Sequence, residues 1–305
     1  MKHIIETKNL TRRYGKTEAI NDLTLNVPEG AIYALLGPNG AGKTTTIQTL
    51  LNIQRPTSGS AKVMGVETTA FGPEQYAQIG YVSENQKLPE SMTVGAFLDW
   101  CRPMYPTWDE GFCRELLSRF ELPLDRRLKN LSRGMKMKAA LLASIVYRPK
   151  LLILDEPFSG LDPLMRDEFI RGVLELSEQE KWTVLISSHD IDEVERLADW
   201  VGILNAGKLY LSESSESLQK RFRKIEFQIA VENKKLPSSI PRDWLIPESA
   251  GRSVRFVTGD FEQDKITGSI HGQFPDATDI TISSMPLREI FVALARTFRV
   301  STSTF

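Results

Sequence analysis

The stretch "AIYALLGPNGAGKTTTIQTLLNI", residues 31–53, decides the fold. It opens with an unbroken apolar run, "AIYALLG", and closes with "KTTTIQTLLNI", where Ile47, Leu50 and Leu51 recur at helical spacing. A buried strand, a glycine-rich turn and a helix in that order begin a parallel α/β sheet. The turn, "GPNGAGKT" (37–44), fits G-x-x-x-x-G-K-[ST] through Gly37, Gly42, Lys43 and Thr44. Gly37, Gly40 and Gly42 let the backbone close around an anion with its N–H groups turned inward, and Pro38, Asn39 and Ala41 complete the loop. The following helix N-terminus adds its dipole. In such a loop Lys43 reaches the β- and γ-phosphates of a nucleotide, Thr44 ligates Mg²⁺ and Thr45 contacts the α-phosphate.

Downstream, "KLLILDEP" (150–157) is a second apolar strand ending in Asp155 and Glu156. An acid at the end of a buried strand beside a phosphate loop can hold Mg²⁺. The next carboxylate, Glu156, then stands where water would attack a γ-phosphate and is the candidate general base. A third apolar strand, "WTVLISSHD" (182–190), carries His189 toward the same phosphate as a hydrogen-bond donor. Both strands are expected to lead into helical segments.

Upstream, "HIIETKNLTRRYGKTEAINDLTLNVPEG" (3–30) alternates in places and predicts two or three antiparallel strands. "QIGYVSEN" (78–85) reads as another buried strand, and residues 91–146 as mostly helical, with Ser91 or Thr93 as a cap. "DWVGILNAGKLYLSES" (199–214) reads as strands joined at Asn205-Ala206-Gly207. Near residue 215 the composition shifts to a basic helix, "SLQKRFRK", followed by Pro237, Pro241, Pro247 and Pro275 among short strand candidates at 225–231, 253–258 and 279–284. "PLREIFVALARTF" (286–298) closes as an amphipathic helix. Two domains follow, 1–215 and a small α+β domain over 216–305.

Composition narrows the class. The 305 residues are 41% hydrophobic and 25% charged with a formal net charge of −1, ordinary for a soluble protein and unlike a general nucleic-acid binder. No apolar run approaches the roughly 20 residues that span a bilayer, and the N-terminus has no signal-peptide pattern. Two cysteines twelve positions apart, Cys101 and Cys113, read as reduced thiols of a cytosolic protein.

Taken together, these motifs resemble the ATP-binding cassette (ABC) family over roughly residues 4–215. "RYGKTEAI" (13–20) is similar to the segment whose aromatic, here Tyr14, stacks on adenine. "GPNGAGKTT" corresponds to the family's Walker A motif, "LLILDEP" to Walker B, "LSRGM" (131–135) to the LSGGQ signature, "SGLD" (159–162) to the D-loop, and His189 to the switch histidine. The resemblance implies a P-loop ABC ATPase core, α/β with a mixed sheet, an antiparallel β subdomain and a helical subdomain at about 86–146, plus the C-terminal α+β domain. It implies ATP and Mg²⁺ as cofactors and a head-to-tail pair of cassettes, homodimer or heterodimer. In that pair Ser132, Gly134 and Asp162 of one subunit meet the ATP held by the other. It also implies a separate integral-membrane permease docked on the helical subdomain, and a location peripheral to the inner face of the cell membrane.

Two motifs depart from the family pattern. The signature carries Arg133 for Gly and Met135 for Gln; and where the Q-loop has Gln, "IGYVSENQ" has Glu84 at that register and Gln86 two residues on, either of which could contact the metal. The tail "MPLREIFVALAR" resembles subunits serving the bacterial ABC-2 exporters. The leading expectation is an exporter ATPase. A soluble ABC ATPase acting on nucleic acid or ribosomes is the alternative, disfavoured by the absence of coiled-coil heptads and of a basic charge excess. A P-loop kinase or GTPase would have no use for "LSRGM" or "SGLD".

Overall fold

The computed structural model describes residues 2–302 apart from 233–235, 238, 239 and 242. The chain divides after Ser212 into two compact units. That point lies slightly before the compositional shift at 215, because Glu213 pairs through its carboxylate with Arg221, 2.7 Å away in the next helix.

In the first unit the chain opens with β1 (His3–Tyr14), β2 (Thr17–Leu23) and β3 (Asn26–Pro28). Next come β4 (Ile32–Leu36), helix α1 (Lys43–Leu50), β5 (Ser58–Val63) and β6 (Val66–Glu67). A one-turn helix α2 (Pro73–Tyr76) precedes β7 (Ile79–Ser83). Three helices follow: α3 (Val94–Cys101), α4 (Glu110–Arg119) and α5 (Arg133–Ile145). The unit continues through β8 (Leu151–Asp155), α6 (Pro163–Glu180), β9 (Thr183–Ser188), β10 (Trp200–Asn205) and β11 (Lys208–Ser214).

Two sheets result. One has the order β11-β10-β4-β9-β8-β7, with β10, β4, β9, β8 and β7 parallel. Every residue of β4, β8 and β9 is buried, which is why these strands read as apolar runs and not as alternating ones. The other sheet is antiparallel, β2-β1-β5-β6 with β3 also on β1. Its core is shared: Ile5, Leu10, Leu23 and Val63 pack with Ile47 and Leu50 of α1 and with Tyr33, Leu35, Ile153 and Leu185 of the parallel sheet.

Residues 3–28 supply three antiparallel strands, within the two or three expected for that stretch, and β5 and β6 bring the sheet to five. β5 was hidden because "SGSAKV" buries only Ala61 and Val63. Thr93, not Ser91, caps α3, accepting from the Ala96 N–H at 3.2 Å. After β9 no regular helix forms. Asp190 accepts from the Asp192 N–H, a single 3₁₀ turn spans Ile191–Glu193, and the Glu193 side chain is drawn inward to Ser188. Parallel strands fix the site, because β4, β7, β8 and β9 all end at one edge: Leu36 pairs with Ser188, Ser187 with Asp155, and Asp155 with Ser83.

The second unit holds α7 (Ser215–Arg221), β12 (Arg223–Gln228), β13 (Trp244–Ala250), β14 (Ser253–Thr258), α8 (Gln263–Gln273), β15 (Thr278–Ser284) and α9 (Leu287–Thr302). Its antiparallel sheet, β13-β14-β12-β15, buries Ile225, Phe227, Val254 and Phe256 against Ile266 and Ile270 of α8. Trp244 stacks on Phe256 with ring centres 3.9 Å apart.

Candidate active site

The glycine-rich loop joins the end of β4 to α1. Its crest, Pro38, Asn39 and Gly40, is exposed, while Ala41 and Lys43 are buried. Gly42 has φ 105°, and a Cβ there would collide with the Ala19 carbonyl, so only glycine brings the loop this close to β2. No side chain caps α1, so its first N–H groups are left for an anion in the loop. Thr45 is half-buried on the first turn of α1, and its carbonyl accepts from the Thr49 hydroxyl at 2.7 Å.

Lys43 donates to the Gly37 and Pro38 carbonyls at 2.7 and 3.2 Å and pairs with Glu156 Oε1 at 3.0 Å. The other oxygen of Glu156 meets His189 Nδ1 at 2.8 Å. Lys43 from the first turn of α1, with Glu156 and His189 from just past the ends of β8 and β9, therefore form one line of side chains. Glu156 takes φ 51°, a left-handed conformation rare for a residue with a side chain. Its N–H is held by Ser187 Oγ at 3.0 Å. Backbone strain of this kind costs about 1 kcal/mol or more and persists where surrounding structure over-determines it.

Asp155 is almost fully buried. It accepts from Ser187 Oγ at 2.7 Å and from Thr44 Oγ1 at 3.1 Å. Burial pushes its carboxyl pKa up, the two hydroxyls work against that, the neighbouring Glu156 charge adds to it, and Lys43 offsets it in part. Thr44 and Asp155 thus put two hard oxygen donors side by side at the phosphate loop. Among the described residues no three His, Cys, Asp or Glu side chains cluster as a metal cage. Mg²⁺ suits that arrangement, since it is commonly held by one or two protein oxygens with phosphates and water supplying the rest.

Tyr14, at the end of β1, is 42% exposed, with the Arg12 guanidinium over one face of its ring, 4.6 Å from the ring centre. Glu84 follows β7; its N–H donates to the Asp155 carbonyl at 3.0 Å. Its carboxylate accepts from Ser159 at 2.5 Å and from Arg133 at 2.6 Å. Burial alone would raise the Glu84 pKa, but those bonds and the Arg133 charge outweigh it and hold it low. The Gln86 side chain turns back to accept from the Ser83 N–H at 3.4 Å.

The signature turn differs in kind. Ser132 is exposed and caps α5, its hydroxyl accepting from the Met135 N–H at 3.2 Å. Gly134 is buried beneath the Met165 side chain, which a Cβ would strike. Asp162 is exposed and caps α6 by accepting from Met165 N–H at 2.9 Å. The Lys43–Glu156 pair and the Arg133–Glu84 contact were not visible in the sequence. The only hint of the second was the opposite charge of the two departures.

Comparison with known proteins bears on this constellation. The family model described as ABC transporter matches residues 20–159. The chain is 34% identical over 233 residues to the bacitracin transport ATP-binding protein BcrA of Enterococcus faecalis, covering 75% of this chain and 76% of that protein. The chain belongs to the ABC transporter family. Over 224 residues it is 36% identical to the lantibiotic transport ATP-binding protein SrtF of Streptococcus pyogenes, covering 72% of this chain and 96% of that protein. Among solved structures, an ATP-binding subunit of an ABC transporter superposes with a TM-score of 0.64 at 28% identity, over 71% of this chain and 92% of the other. This ABC protein is accordingly an ATP-binding subunit with an ATPase site, built on the cassette fold.

Proposed function

We propose that this subunit hydrolyses ATP to drive export through a separate integral-membrane permease, working as a pair of cassettes closed around two ATP molecules. The observation that carries it is the Lys43–Glu156–His189 line beside Thr44 and Asp155. Gly37 through Thr45 wrap the phosphates and Tyr14 carries the adenine. Mg²⁺ held at Thr44 and Asp155, with Glu84 or Gln86 near, would neutralise charge on the phosphates. Glu156, pulled away from Lys43 as phosphate takes the lysine, is free to accept the proton of the attacking water, and His189 is placed to donate to the γ-phosphate.

The exposed Ser132 and Asp162, with Gly134 beneath Met165 in the same turn as Ser132, form the half-site offered to a second cassette. A helix N-terminus with its cap turned to solvent is suited to an anion from outside the chain. The permease reading is supported by an open groove of about 670 Å³ lined by Ile53, Tyr76, Leu88, Trp100, Met104 and Tyr105. Trp100 and Met104 are each 51% exposed there, an apolar surface suited to a short helix of a partner. Among the described residues no helix is long and apolar enough to cross a membrane, so transport requires a membrane partner, and this chain would sit on the inner membrane face. Export is supported by the relatives named for bacitracin and lantibiotic transport.

The test is Glu156→Gln. It keeps the side chain's shape, so ATP should bind and trap a dimer, visible by gel filtration, while turnover falls about 10²–10⁴-fold, the usual worth of a general base. Hydrolysis at the wild-type rate would remove Glu156 from the role.

A further inference from the structure

Arg133 and Glu84 stand out in the sequence as two separate departures, but the structure joins them. Arg133 Nη2 donates to Glu84 Oε1 at 2.6 Å, and the same oxygen accepts from Ser159 Oγ at 2.5 Å. Arg133 Nη2 also lies 3.5 Å from Ser159 Oγ. The rest of the guanidinium covers Gly160, where φ is +69° and any Cβ would sit inside the arginine head group. The backbone on either side is anchored: the Glu84 N–H donates to Asp155 O at 3.0 Å, and the Ser159 N–H to Glu156 O at 3.2 Å. Both anchors are the carboxylate-bearing residues at the end of β8.

We propose that Arg133 is a positioning residue: within one subunit it ties the signature turn to Glu84 and to the loop 159–162, so that these segments shift as one body. An exposed ion pair alone is worth little. This one has a shared carboxylate oxygen, a serine hydroxyl and a side-chain-free backbone surface converging on one planar group. Arginine suits that better than lysine, since its fork spreads several donors in a plane. The consequence is directional. Ser132 and Gly134 belong to the same turn as Arg133, and Asp162 to the same loop as Ser159 and Gly160, so the groups offered to a second cassette are held in register with Glu156. That consequence rests on the proposed head-to-tail pairing; the contact itself does not.

The contact is therefore tested in the nucleotide-free chain, by hydrogen–deuterium exchange of a peptide covering residues 158–165. Loss of a charge-assisted bond shared by two loops should speed exchange there roughly tenfold in Arg133→Ala and in Glu84→Gln. The double variant should be no faster than either single, because both break one linkage, and Arg133→Lys should lie nearer wild type than Arg133→Ala. Steady-state kinetics supplies the second arm: Arg133→Ala should lower kcat about tenfold while the KM for ATP stays put, since Arg133 touches none of the loop 37–45. Unchanged exchange in Arg133→Ala, or single effects that multiply in the double variant, overturns the proposal. So does a loss of kcat with exchange unchanged, which would instead assign Arg133 to the partner's nucleotide. If Ser132→Ala left turnover intact while the exchange coupling held, the pairing would fail and the intrasubunit tie would stand.

Discussion

The two halves of the nucleotide machinery are built by opposite rules. At the carboxyl edge of the parallel sheet, Lys43 and Asp155 are buried and Glu156 nearly so, and each polar group is held by another of the same chain. At the signature turn, Ser132 is exposed and its hydroxyl does no more than cap its own helix. Buried charges need partners at once, because desolvation penalises them severely; an exposed cap carries no such demand. The first half is therefore complete as folded, and the second is shaped for something outside the chain.

The contrast breaks first at Lys43. Removing its ammonium takes the cation from Glu156, whose side chain is only 13% exposed. An uncompensated buried charge costs about 3–5 kcal/mol. Lys43→Ala should thus lose ATP binding and turnover by more than about 10²-fold, and should also lower the midpoint of denaturant unfolding. Adding Glu156→Gln to it should restore most of the stability and none of the activity. If the single variant unfolds at the wild-type midpoint, the pair is not the linkage described here.

The signature half should respond differently. Ser132→Ala removes one cap, worth about 1 kcal/mol, so the fold should survive with a small loss of stability. Binding of ATP to the isolated subunit should be nearly unchanged, because Ser132 has no contact with the loop 37–45. Turnover should fall about 10²–10³-fold if its hydroxyl donates to the other cassette's phosphate, in line with single donors to developing charge. Equilibrium binding and turnover on the same preparation separate the two. A loss of monomer binding would mean that Ser132 serves its own site.

How much of this was legible in the sequence follows the same contrast. The buried strands β4, β8 and β9 announce themselves as apolar runs, and the residues at their ends follow from the parallel register. Elements without a strong period stayed hidden. Helix α8, "QDKITGSIHGQ", contains Gly268 and Gly272 and buries only Ile266 and Ile270. Strand β13, "WLIPESA", contains Pro247 and is half-buried along most of its length. Side-chain pairings across long separations, Lys43 with Glu156 and Arg133 with Glu84, leave no local pattern. The turn after His189 misled because "IDEVERLAD" has helical spacing, while the inward pull of Ser188 and Arg166 on Glu193 ends the helix before it starts.

The smallest expected effect tests where the adenine rests, at the far end of the first half. Tyr14 is not buried and has no charge, so neither rule above fixes it; only its ring face and the Arg12 guanidinium stacked on it do. That guanidinium is itself tied to the Arg55 carbonyl at 2.8 Å and to Gln54 at 2.9 Å, which fixes it over the ring. A base stacked on an aromatic ring gains about 1–3 kcal/mol. Tyr14→Ala should raise the KM for ATP roughly tenfold with kcat unchanged, because the ring makes no contact that strengthens in the transition state. Tyr14→Trp should keep the wild-type KM, since it keeps a ring face. The same tenfold rise should appear with GTP in place of ATP, because a stack does not read the base's edge. An unaltered KM in Tyr14→Ala would move the adenine elsewhere and leave Lys43, Asp155 and Glu156 untouched.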